Sequence, residues 1–219
     1  MINSIQLITP PDTNKKILTT SEIKQALKIE NDDDDSLLES LHDSILGLIE
    51  THTLRAILPQ TLRVSFNLED GIFLSPTRHY LWDRYRFYIP RPPLIDVTEL
   101  KAVNIDGSEY VYPPTSYKVE NEFSPGRIVL RNPSGPIGSD PDTLYQLTFR
   151  AGYETIPAGM KLAFRHLLTH YYYHRGDETG MIPGPTMALL NRFKVYQSFQ
   201  TQKRNDPDGT RLSSPSFNY

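Results

Sequence analysis

The stretch LLESLHDSILGLIETHTLRAILPQTLRVSFNL, residues 37–68, changes its apolar period part-way and so decides the fold class. In its first half Leu37, Leu38, Leu41, Ile45, Leu48 and Ile49 fall one, three and four residues apart. That spacing forms one stripe of a helix from about 34 to 52. In its second half Leu62, Val64, Phe66 and Leu68 alternate strictly, the pattern of a half-buried strand. The chain therefore passes from helix to sheet just after Thr53.

Upstream, Thr19-Thr20-Ser21-Glu22 supplies a hydroxyl cap for a short helix carrying Ile23, Ala26 and Leu27. Asp32, Asp33, Asp34 and Asp35 lead into the second helix, where the macrodipole favours negative charge. Pro10 and Pro11 break local structure, so residues 1–18 read as an exposed arm or a short edge strand. Downstream, Pro90, Pro92 and Pro93 keep 89–94 extended. Asp106-Gly107 sets a hairpin turn between 97–104 and 108–112. Segments 117–120, 127–130 and 145–150 are further short strands, and the Pro/Gly/Ser-rich stretch 132–143 is a loop. Met160, Ala163, Phe164, Leu167, Leu168 and Tyr171 make a second long helical stripe ending near Arg175. A break at 176–185 precedes a last helix over 186–197, and 198–219 is a polar tail.

Helices, then strands, then helices is an α+β order. The expected architecture is a helical bundle of the N- and C-terminal helices with an inserted antiparallel β domain and extended terminal arms. The boundaries are 1–18 for the arm, 19–53 with 154–197 for the bundle, 54–153 for the insertion and 198–219 for the tail.

Composition narrows the function. The 219 residues carry 23 Lys plus Arg against 26 Asp plus Glu, a net charge of −3, which argues against a strongly basic nucleic-acid binder. There is no cysteine, which excludes disulfides, thiol catalysis and cysteine-ligated metals. No apolar run is long enough for a transmembrane helix and the first eleven residues do not form a signal peptide, so a soluble intracellular protein is expected.

Few motifs suggest chemistry. His166, His170 and His174 are spaced by four on one helix, so two of them could hold a metal, with Asp177 or Glu178 adding a carboxylate. They sit beside the apolar stripe, where histidine usually covers a core, and no His-Glu-x-x-His pattern occurs; no metal site is expected. The aspartate run lacks the Gly and Glu of a calcium loop. No Walker, dinucleotide or nucleophile-elbow motif is present, so neither catalysis nor a cofactor is expected. Arg78, Arg84, Arg86 and Arg91 are interleaved with Tyr80, Trp82, Tyr85, Phe87 and Tyr88, a composition that suits protein hot spots or base stacking. The acidic balance favours a protein interface at Tyr80, Trp82, Tyr85, Arg86 and Tyr88. The tail ends in aromatic anchors, and Phe199, Lys203, Arg204, Arg211, Phe217 and Tyr219 suit a segment that orders on a partner.

Three segments in this order resemble a known family: Leu18 to Ile29 with the acidic run and Leu37–Glu50; Ile89 to Val97 with Asp106-Gly107 and Tyr117 to Val119; and Leu147 to Tyr153 with Ile156-Pro157 and the helix ending at Arg175. Together they resemble the head–tail connector (adaptor, or head-completion) proteins of tailed bacteriophages over residues 18–176. The resemblance implies a non-catalytic virion protein at the head–tail interface, present in the host cytoplasm before assembly. It implies a homo-oligomeric ring of about twelve copies, closed by heterologous contacts. Its implied partners are the portal protein, the next neck or tail component (a stopper, tail terminator or tail tube) and genomic DNA passing through, with no membrane. It makes the C-terminal residues portal-binding candidates, and Asp32–Asp35 candidates for lining the channel. Two readings compete: an interaction module unrelated to virions, and a metal-dependent enzyme centred on His166 and His170.

Overall fold

The computed structural model describes residues 2–12, 15–67, 86–130, 143–174 and 182–195. In chain order these form strand β1 (Ile2–Thr9), helices α1 (Thr20–Leu27) and α2 (Asp35–Thr53), and strands β2 (Gln60–Asn67), β3 (Arg86–Tyr88), β4 (Leu94–Val103) and β5 (Glu109–Val111). A 3-10 turn (Pro114–Ser116) leads to β6 (Tyr117–Glu120), β7 (Arg127–Leu130), β8 (Leu144–Ala151), α3 (Ala158–Tyr173) and α4 (Gly184–Asn191). The class is α+β: four helices with antiparallel sheet.

The strands divide between two sheets. Five stand in the order β1-β2-β8-β4-β5 and three in the order β3-β7-β6. β8 is the central strand of the larger sheet, with Leu147 opposite Val64 on one side and Leu100 on the other. Its alternation, and that of β2, puts Leu62, Val64, Phe66, Tyr145, Leu147 and Phe149 on one buried face. Ile2–Thr9 pairs antiparallel with β2 at the sheet's edge, the strand alternative for the N-terminal segment. β4 and β5 meet in a hairpin at Asp106-Gly107, where Gly107 has φ +82°.

A second core belongs to the helices. Ile23 and Leu27 of α1, Leu38, Ile45 and Ile49 of α2, Met160, Phe164, Leu167 and Leu168 of α3, and Leu190 of α4 are buried in one cluster. Elements from both ends of the chain thus share one apolar interior, on either side of the β segment in sequence. α4 differs from expectation. It starts at Gly184, with Pro in its first turn, and stops at Asn191 rather than 197. The chain turns there because the Val195 amide donates to the Thr53 carbonyl at 2.9 Å, tying it to the end of α2.

The two cores meet across a short link. Ala56 is buried in the sheet core, while its neighbours Ile57 and Leu58 are buried in the helical one. Gly152, at φ +132°, lies directly over that link; a Cβ there would fall 2.4 Å from the Leu58 carbonyl oxygen.

Candidate assembly surfaces

The acidic run is stitched into the helical core's rim. Lys24 Nζ of α1 lies 2.6 Å from Asp35 Oδ1 and also pairs with Asp32, closing the α1–α2 turn. The Tyr172 hydroxyl of α3 donates to Asp34 Oδ2 at 2.5 Å, and Asn31 Nδ2 donates to Asp33 Oδ2 at 2.8 Å. Asp34 is the N-cap residue of α2 but makes no side-chain cap bond. The Lys24 ammonium holds the Asp32 carboxyl below its ordinary value through a side-chain hydrogen bond. Asp32 and Asp33 are exposed, and Asp34 and Asp35 half-buried.

The histidines of α3 form a surface row. His170 and His174 stack with ring centroids 4.6 Å apart, and His174 Nδ1 is 2.9 Å from the His170 carbonyl oxygen. His166 is exposed. Among the described residues, no group of three or more His, Asp and Glu side chains is disposed to hold a metal ion.

Of the aromatic–arginine segment, Tyr80, Trp82 and Tyr85 lie outside the described residues, as do Phe199, Lys203, Arg204, Arg211, Phe217 and Tyr219 of the tail. Arg86 and Tyr88 are the ends of β3, which pairs with β7 so that Tyr88 faces Arg127. Arg127 donates through Nε to Glu120 Oε2 at 2.5 Å. Its guanidinium also lies 3.8 Å from the centroid of the Phe123 ring, a cation–π contact. Tyr88 is therefore half-buried and tied into the small sheet.

A polar clamp at the junction of the two cores escapes a reading of the sequence by period alone. Glu50 Oε1, near the end of α2, accepts from the Ile57 amide at 2.7 Å and from Gln60 Nε2 at 2.9 Å. Arg91 Nη1 donates to the Glu50 carbonyl at 2.8 Å. Burial raises the Glu50 carboxyl above its ordinary value, against the opposing pull of the Ile57 amide and of Arg91. Arg55 reaches the Phe193 carbonyl through Nε. His42 is likewise buried: its Nε2 accepts from the Ile17 amide at 3.2 Å, and its ring lies 4.9 Å from that of Phe164. The signal for His42 was available, since Leu38, His42, Ile45 and Ile49 form one helical row with a histidine inside it.

The five-stranded sheet has two open edges among the described residues. At one, β1 pairs only with β2; at the other, β5 pairs only with β4. Ile5, Leu7 and Ile8 are 38, 54 and 43% exposed on β1. At the opposite edge Ile105, beside the hairpin turn, is 77% exposed and Val111 of β5 54%.

No protein-family model matches the sequence, and no curated protein matches it. Solved structures do share its fold. A chain in the neck of an empty gene transfer agent particle, computed with C6 symmetry, superposes with a TM-score of 0.66 at 19% identity, over 88% of this chain and 96% of that one. A chain from the virion of a native gene transfer agent gives 0.67 at 19% identity, covering 88% and 95%. One from the neck of the native particle, computed with C12 symmetry, gives 0.57 at 20% identity, covering 87% and 96%. At these identities the likeness is one of fold, and it spans nearly the whole of each chain.

Proposed function

We propose that this chain is a structural neck protein of a phage-like particle: a head–tail adaptor that docks on the portal as a ring, extends the DNA channel and joins head to tail. The observation that carries this reading is the end-to-end likeness to chains of particle necks, with TM-scores of 0.66 and 0.57. It agrees with the order of sequence segments that resembles head–tail connectors. The C12 symmetry of one such neck supports a ring of twelve. The role asks for no catalysis, only surfaces.

Net charge suits a conduit. A chain at −3 offers no net positive charge to retain phosphates, so DNA can pass without sticking. In this reading the exposed carboxylates of Asp32 and Asp33 line the channel, with Asp34 and Asp35 beside them. Phe199, Lys203, Arg204, Arg211, Phe217 and Tyr219 engage the portal, and the segment with Tyr80, Trp82, Tyr85, Arg86 and Tyr88 meets a neighbouring neck or tail protein.

Cryo-electron microscopy of particles from the same source tests the reading. Density for a ring of this chain between portal and tail is the expected result; its absence from the neck overturns the proposal. Truncation of 198–219 probes the finer assignment. The truncated chain is expected to keep its far-UV spectrum and unfolding transition yet lose portal co-purification, and undiminished co-purification removes the tail from the mechanism.

A further inference from the structure

Helices α2 and α3 pack against each other, and the sides they leave exposed differ in charge and in size. They run antiparallel at a fixed register, since Tyr172 meets Asp34 and Phe164 meets His42. Leu38, Ile45 and Ile49 of α2 and Phe164, Leu167 and Leu168 of α3 are buried in one core. The exposed sides of the two helices therefore point away from that core, on different flanks.

The α2 flank is acidic and small. The helix carries Asp35, Glu39, Asp43 and Glu50 and neither lysine nor arginine. Lys16 takes Glu39 at 2.8 Å, which leaves Asp43, its side chain 84% exposed, as the acid presented outward. Ser36, Ser40, Ser44 and Gly47 are exposed around it, and a Cβ at Gly47 would have no atom within 4 Å. The α3 flank is basic and bulky. The helix carries Lys161, Arg165, His166 and His170 and no acid. Arg165 and His166 are exposed beside Leu162, at 44%, and Tyr173, at 62%. The Tyr173 hydroxyl donates to the Leu27 carbonyl at 3.1 Å, which fixes that ring in place. Glu22 of α1 lies within electrostatic range of Lys161 and Arg165, an exposed interaction that water screens.

A closed ring needs two different patches on each copy, so that one meets the other head to tail. We infer that the α3 flank of one copy is covered by the α2 flank of the next, the occupant being a second copy of this chain. Opposite charge selects the pairing, and the small side chains of α2 leave room for Leu162 and His166. The register fits as well. A rotation keeps every residue at its height along the ring axis. With both helices standing along that axis, heights read within one copy hold between copies. The Phe164–His42 and Tyr172–Asp34 contacts then set Leu162 level with Ser44 and His166 level with Ser40. Arg165 comes within two residues of Asp43, about 3 Å along the helix. The inference rests on the ring reading above, and adds to it the helices and the charge pair that close the ring.

Charge reversal in the full-length chain tests the contact. Asp43→Lys and Arg165→Glu are each expected to remove the chain from necks while the purified protein keeps its unfolding transition, and the two together are expected to restore it. The absence of native cysteine allows a second measurement. Chain carrying both Ser40→Cys and His166→Cys, incorporated into particles and treated with a short bis-maleimide, is expected to give a ladder of covalent multimers, and either substitution alone none. Should a reversed variant fail to fold, the cross-linking result decides. The inference is overturned if a folded single reversal enters necks as wild type does, or if the folded double reversal stays out. It is equally overturned if the doubly substituted cysteine chain enters necks without a ladder, or if one cysteine alone links copy to copy. In each of these cases the wild-type chain is still found in the neck, so the functional reading stands. A wild-type chain missing from necks overturns both.

Discussion

Glu50 shows how one side chain can couple the two cores and cost stability in doing so. Its side chain is half-buried and its folded-state value is raised, chiefly by desolvation. Below the ordinary value of 4.5 the group is neutral whether the chain is folded or not, and nothing is lost. As pH rises from there towards the raised folded value, the unfolded chain ionises first, so the folded state binds more protons and stability falls with pH. Glu50→Gln removes the titration, and because both donors address the single oxygen Oε1, the amide oxygen of glutamine can accept from Ile57 and Gln60 in its place. The expected outcome, in melting temperatures across this window, is a variant-minus-wild-type difference that grows as pH rises and levels off above it. A difference independent of pH would contradict the assignment.

At the scale of elements, α1 depends on its cap. Thr19 Oγ1 accepts from the Glu22 amide at 3.2 Å, and Glu22 Oε2 accepts from the Thr19 amide at 2.8 Å, a reciprocal capping box. The helix is only eight residues long, too short to stand on propensity. Thr19→Ala is expected to cost about 1 kcal/mol, read from chemical denaturation, while Ser at this position should cost far less. This cap was legible in Thr19-Thr20-Ser21-Glu22, as were the α2 stripe, the β2 alternation, the Asp-Gly hairpin and α3. All are local patterns, set by neighbours within a few residues. What was not legible is pairing at long range. Nothing local in 60–67 states that it lies beside 144–151, or that 2–9 joins its other side. The division into two sheets was invisible for the same reason. The stop of α4 at Asn191 follows from a tertiary bond, Val195 to Thr53, that overrides a continuing apolar period. Of the candidate site residues, the aspartates read as helix-entry charge, but their partners Lys24 and Tyr172 lie on other helices and could not be named from spacing.

At the scale of the whole molecule, the described residues hold two apolar cores, one in the sheet and one among the helices. The connection is dense. Ala56 faces one core and Ile57 and Leu58 the other; the Tyr153 amide donates to the Ile57 carbonyl at 3.0 Å, and the Gly152 amide to the Pro93 carbonyl at 3.0 Å. With consecutive residues Ala56 and Ile57 buried in different cores, neither core can open without stripping contacts from the other. Helical and sheet regions are therefore expected to unfold in one transition. Far-UV circular dichroism reports the helices. Near-UV tyrosine signal adds the sheet core, where Tyr110 meets Tyr112 edge-on with ring centroids 4.9 Å apart and Tyr145 stacks on Phe66, to the tyrosines Tyr153, Tyr171 and Tyr172 packed on the helices. The two melting curves should superpose. Gly152→Ala tests the link itself. The new Cβ would meet Leu58 and Pro59 backbone atoms at 2.4 to 2.6 Å, in a φ region that alanine resists. The loss is expected to exceed about 1 kcal/mol. If the link couples the cores, both signals move to lower temperature together. A variant in which only one curve shifts would show two cores that merely adjoin.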